Sequence, residues 1–147
     1  MLFGRPKRTL TRLLIVEDEP LVAFDNERFL TDEDFTIVAT VDRVADATAL
    51  LGDGVAIDLV LVDVSLSDGS GIDVARAAAA QGIAVMFVTG QDPDGGDDVA
   101  HGCLSKPYSQ RTLLRAIEAV DRAVQGDVPR KLPAGFRLLA RAQTPAA

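Results

Sequence analysis

Five residues that could do chemistry together each follow a short apolar run. Asp63 closes Asp58-Leu59-Val60-Leu61-Val62, and Glu17 and Asp18 follow Leu13-Leu14-Ile15-Val16. Thr89 follows Ile83-Ala84-Val85-Met86-Phe87-Val88, and Lys106 follows Cys103-Leu104-Ser105. Three clustered carboxylates suit a hard cation such as Mg²⁺, which prefers oxygen ligands and relieves their mutual repulsion. An aspartate can also act as a nucleophile and become an acyl phosphate. The transferring phosphoryl group then needs positive charge and hydrogen-bond donors, which the cation, Lys106 and Thr89 would supply. Each residue alone has an ordinary explanation. An Asp after a strand caps helices, Glu17-Asp18-Glu19 complements a helix start, Thr89-Gly90 makes a turn, and most lysines sit at the surface. Their joint occurrence, in order and at strand ends, makes those explanations improbable.

The elements that must position this set alternate between strand and helix. Strands are expected at 12–16, 36–40, 59–62, 84–88 and 102–104, and helices at 20–32, 43–51, 71–81 and 109–124. Pro20 suits a first helical turn, and Ser109 suits a helix cap. The first, third and fourth strands are continuous apolar runs, the pattern of strands covered on both faces. The expected fold is α/β, a doubly wound five-stranded parallel sheet in the flavodoxin-like order 2-1-3-4-5. Right-handed crossovers place the loops after the strands along one edge, where such sheets bind ligands. The segment 91–98, with Pro93, two glycines and four aspartates, argues against a stable fourth helix. At most a turn or two is expected near 97–101, in a mobile segment.

Composition bounds the function classes. A chain of 147 residues suits one domain with a real core, here 12–126 between basic extensions at 1–11 and 127–147. Hydrophobic residues make up 48% and aromatics 5%, so the core rests on aliphatic side chains. Residues 1–12 carry four basic residues and no acid, and residues 127–147 carry four basic residues and one acid. Of the overall −7, the middle therefore carries −14. That acidity argues against nucleic acid as a partner. The lone Cys103 excludes an internal disulfide, and no apolar run approaches the roughly 20 residues of a membrane span. A cytoplasmic protein without membrane insertion is the expectation. Leu132, Phe136, Leu138 and Leu139 in the C-terminal extension are available to pack back or to bind a partner.

The series Leu-Ile-Val-Glu17-Asp18-Glu19, Leu-Val-Leu-Val-Asp63, Asp68-Gly69-Ser70-Gly71, Thr89-Gly90 and Lys106-Pro107-Tyr108 resembles the receiver domain of two-component response regulators over about residues 12–125. The resemblance implies that Asp63 is the phosphoacceptor. It implies that Asp18 binds Mg²⁺ directly, that Glu17 does so directly or through water, and that the Ser65 carbonyl completes the set. Thr89 would bond a phosphoryl oxygen, Lys106 would pair with the group, and a cis Lys106–Pro107 bond would aim the lysine inward. It further implies a histidine kinase or histidine phosphotransfer protein as donor, docking on the first helix and the loop after the fifth strand. An unidentified downstream protein would receive the signal. Catalysis would be limited to Mg²⁺-dependent phosphorylation and dephosphorylation of the protein itself.

Cys103 stands where the family carries a switch aromatic, and Ser67 where many members carry proline. Phe87-Val88-Thr89-Gly90 resembles the Phe-Ala-Thr-Gly subgroup of alphaproteobacterial regulators. With the aromatic missing, the 91–98 segment is expected to order on phosphorylation instead. The expected protein is a stand-alone receiver that works by protein contact or as a phosphate sink. The rivals are a pseudo-receiver that binds a partner without phosphorylation, an aspartate-nucleophile phosphatase and a flavin-binding protein. The phosphatase should carry Asp where Ser65 stands. The flavoprotein should carry a phosphate-binding loop where Glu17-Asp18-Glu19 stands.

Overall fold

A computed structural model of the chain describes residues 7–143. Residues 1–6 and 144–147, the outer ends of the expected basic extensions at 1–11 and 127–147, lie outside the described residues. The elements are β1 (Arg12–Val16), α1 (Pro20–Asp32), β2 (Thr36–Val41), α2 (Val44–Gly52), β3 (Leu59–Val62), β4 (Ser65–Leu66), β5 (Gly69–Ser70) and α3 (Gly71–Ala80). They continue with β6 (Ala84–Thr89), β7 (Gly102–Ser105), α4 (Gln110–Val124), β8 (Phe136–Leu138) and α5 (Ala140–Gln143). The main sheet has the order β2-β1-β3-β6-β7-β8. Its first five strands are parallel, and β8 joins antiparallel. The doubly wound α/β reading holds, extended by one strand drawn from the C-terminal segment.

Alternation along the strands builds two cores. Leu13, Ile15, Leu59, Leu61, Met86 and Val88 face α1 and α4 and meet Leu30, Leu113 and Ile117. Leu14, Val16, Val60, Val62, Val85 and Phe87 face α2 and α3 and meet Leu51, Val74 and Ala78. Each helix thus hides one strand face, which is why β1, β3 and β6 read as unbroken apolar runs. Pro20 occupies the first turn of α1. Ser109 caps α4 by accepting the Thr112 N–H at 3.1 Å, and Ser70 caps α3 through the Ile72 N–H.

No helix lies between β6 and β7 among the described residues, in line with the composition of 91–98. The vacancy on the α2/α3 face is filled from the C-terminal segment. Leu139 is buried in the same cluster as Phe87, Ala100 and Cys103, and a side chain of that size contributes about 2 kcal/mol on burial. Phe136 is buried in the opposite core. The segment 127–143, expected as an extension, is therefore part of the domain, while its Val128 and Leu132 stay exposed. Residues 7–11 are tied down too. The Arg8 guanidinium lies 4.0 Å from the Phe35 ring centroid and donates to the Glu33 carbonyl at 2.8 Å, and Leu10 is buried. His101, just before β7, is buried, and its Nδ1 accepts the Val85 N–H at 3.3 Å.

Candidate phosphoryl and cation site

β1, β3, β6 and β7 run parallel, so their carboxyl ends share one edge of the sheet. Glu17 and Asp18 leave β1, and Asp63 leaves β3. A carboxylate oxygen from each lies within 4.8 Å of the others. Glu17 and Asp63 are buried to 4% and 6% exposure. Gly71 makes this packing possible. A Cβ there would stand 2.0 Å from the Asp63 carbonyl oxygen, so only glycine lets the start of α3 approach the backbone of Asp63.

Lys106 enters this acidic group from the end of β7, next to the cis Lys106–Pro107 bond. Its Nζ lies 2.7 Å from Asp63 Oδ2, 2.8 Å from Glu17 Oε1 and 3.0 Å from Glu19 Oε1. Burial by itself would lower the pKa of this ammonium. The hydrogen bonds to Asp63, Glu17 and Glu19 outweigh burial and hold it above the ordinary lysine value. Burial pushes Glu17 the other way from a usual surface carboxylate, raising its pKa, although Lys106 and the Glu19 N–H both favour the charged form. One lysine serves three carboxylates, and Asp18 adds a fourth at the rim. The excess negative charge, in an all-oxygen donor set, fits a hard divalent cation, with Glu17, Asp18 and Asp63 as the residues that would hold it.

Thr89 is buried at the end of β6. Its carbonyl accepts the Lys106 N–H at 2.9 Å, and its Oγ1 accepts the Gln91 N–H at 3.3 Å. The Ser65 N–H donates to Asp63 Oδ1 at 3.1 Å, which fixes the carboxylate's rotation. The structure thus gathers Glu17, Asp18, Asp63 and Lys106 directly, and it seats Thr89 and Ser65 on the adjoining chain.

Three supporting residues were not assigned these roles from sequence. Glu19 is the third partner of Lys106, and its place in the acidic run was the available signal. Tyr108 accepts a hydrogen bond from buried Asn26 at 2.8 Å, which pins the loop after β7 to α1. Asp68 belongs to the same motif series but does different work. It accepts the Val44 and Ala45 N–H groups at 2.7 and 3.1 Å and so caps α2, and those backbone bonds lower its pKa. No local pattern connects Asp68 to a helix start 24 residues earlier.

This fold and strand-end site define a receiver-type module. Residues 13–118 match the family model of the response regulator receiver domain. The chain is 37% identical over 125 residues to the sensory transduction protein RegX3 of Mycobacterium tuberculosis, covering 77% of this chain and 52% of that protein. It is 34% identical over 129 residues to the transcriptional regulatory protein PdtaR of the same species, covering 80% and 62%. Among solved structures, a response regulator receiver protein from Sinorhizobium medicae aligns with a TM-score of 0.64 and 28% identity, over 73% of this chain and 90% of that one. The chain belongs to the response regulator receiver family of two-component systems. It spans about half the length of the curated RegX3 relative it matches. Among the described residues, no helix is long and apolar enough to cross a membrane.

Proposed function

We propose that Asp63 accepts a phosphoryl group from a phosphohistidine of a kinase or phosphotransfer protein, with Mg²⁺ as the required cation. The observation that carries this reading is the convergence of Lys106 with Glu17 and Asp63, beside Asp18, at one sheet edge. Asp63 Oδ attacks phosphorus, the P–N bond to the donor imidazole breaks, and the imidazole leaves with its electron pair and takes up a proton. A bound Mg²⁺ would supply positive charge for the transferring oxygens. Glu17, Asp18, Asp63 and the Ser65 carbonyl would hold that ion. The Ser65 N–H holds the Asp63 carboxylate in its orientation, and Lys106 exchanges its bond to Asp63 for one to the new phosphoryl oxygens. Thr89 Oγ1 donates to the same group. Hydrolysis of this acyl phosphate would be the only turnover, so the protein acts as a switch or phosphate sink in the cytoplasm. Its strongly acidic body supports contact with protein rather than nucleic acid.

The test is intact mass after incubation with acetyl phosphate and Mg²⁺. A gain of one phosphoryl group is expected, dependent on Mg²⁺ and absent in Asp63→Asn. A gain that survives in Asp63→Asn would overturn the assignment.

A further inference from the structure

Residues 127–143 leave α4 and return across the outer edge of the sheet. β8 pairs with β7, with Arg137 opposite Cys103. The Gly135 carbonyl accepts the N–H of Ser105, the residue before Lys106, at 2.9 Å. Past β8, the Leu139 N–H donates to the His101 carbonyl at 2.9 Å and the Arg141 N–H to the Asp97 carbonyl at 3.0 Å. The Arg141 guanidinium donates to the carbonyls of Ile83 and Val99 at 2.8 and 2.9 Å. One segment therefore grips the chain that departs from Thr89 and the chain that arrives at Lys106.

We propose that residues 136–143 are a releasable strap coupled to the phosphoryl site, so that a phosphoryl group on Asp63 loosens them from β7 and from the 90–101 loop. The proposal rests on Asp63 as the phosphoacceptor. Conversion of the Asp63 carboxylate to an acyl phosphate replaces about one negative charge with up to about two and adds three acceptor oxygens. Lys106, now shared among Asp63, Glu17 and Glu19, and Thr89 both turn toward it. Their backbones are joined by the Lys106 N–H to Thr89 carbonyl bond, so they shift together. Ser105 then moves against Gly135, and the 90–101 loop moves against Arg141. Gly95 and Gly96, both at positive φ, let that loop take another path. The ion pair between Arg137 and Asp92 is long, at 3.7 Å, and exposed, so it adds little to the grip.

The lone Cys103 is a built-in reporter. It is buried beside Leu139, and burial raises its thiol pKa, so it reacts only when the strap opens. The experiment measures its labelling by a thiol reagent in the full chain, with phosphoryl occupancy read by mass in the same sample. The phosphorylated protein is expected to label about fivefold faster or more, with no acceleration in Asp63→Asn. Equal rates at full phosphoryl occupancy would overturn the strap and leave the phosphoacceptor standing. If no phosphoryl group is gained, the phosphoacceptor reading fails and the strap falls with it. By reciprocity, Arg141→Ala and Leu139→Ala, each confirmed folded by thermal melting, should bind beryllium trifluoride, a mimic of the acyl phosphate, about fivefold tighter in the presence of Mg²⁺. Unchanged or weaker binding in both would overturn the coupling.

Discussion

The two edges of the sheet treat acidic and basic groups in opposite ways. At the edge where the strands begin, the buried and half-buried titratable groups are matched to hydrogen-bond partners from the main chain and from uncharged side chains. Asp58 Oδ2 accepts the Thr11 and Arg12 N–H groups, both at 2.9 Å, and the Thr11 hydroxyl. Asp121 accepts from the Thr9 and Leu10 N–H groups, the Thr9 hydroxyl and Gln125. Burial opposes its charge, but these donors win and its pKa is lowered. His101 is held neutral, its pKa lowered to about 4 by burial and by Arg141. At the edge where the strands end, carboxylates face carboxylates, and one lysine cannot balance them. A satisfied acid ties the fold together, whereas an unbalanced group of acids leaves binding energy for a cation and a phosphoryl group.

The largest effect that would sharpen this contrast is Asp58→Ala. It leaves three donors without an acceptor and should cost about 3 kcal/mol in denaturant unfolding, while the folded fraction still gains a phosphoryl group. Gly71→Ala pushes a methyl into the Asp63 carbonyl and should cost about 2 kcal/mol. It should also slow phosphorylation by displacing Asp63, whereas equal rates would show that the site tolerates the shift.

His101 sets a pH dependence of similar size. Its folded pKa is depressed, so its contribution is fully present above the unfolded value near 6.5 and is lost as pH falls toward 4. Stability should drop by about 2 kcal/mol across that window, and His101→Asn should flatten the curve. The smallest effect has the opposite sign. Glu17→Gln removes one carboxylate from a site where Lys106 keeps two other partners. Without Mg²⁺ it should raise stability by about 1 kcal/mol, and it should weaken Mg²⁺ binding. A destabilised Glu17→Gln would break the contrast, because it would make the strand-end acids structural.

Much of the site was legible because strand ends are legible. Apolar runs that stop at a polar residue identify the edge, and the parallel order brings Glu17, Asp18, Asp63, Thr89 and Lys106 onto it. The partners of those residues were harder to read. Glu19 joins through a side chain reaching back over its own turn, and Asn26 meets Tyr108 across 82 residues of sequence. The C-terminal segment was legible only as apolar residues in search of a surface. Its pairing with β7 depends on an outer strand edge that only the folded sheet creates. The 91–98 composition correctly argued against a helix there. It gave no sign that Asp97 and Val99 would be held by Arg141.

The central claim is that chemistry belongs to Asp63 alone among the acids of both edges. Borohydride trapping after acetyl phosphate and Mg²⁺ treatment reduces an aspartyl phosphate to homoserine, and peptide mass mapping then locates it. Homoserine at position 63 and at no other aspartate is the expected result. Homoserine at 18 or 58, or a phosphoryl gain with none at 63, would contradict it.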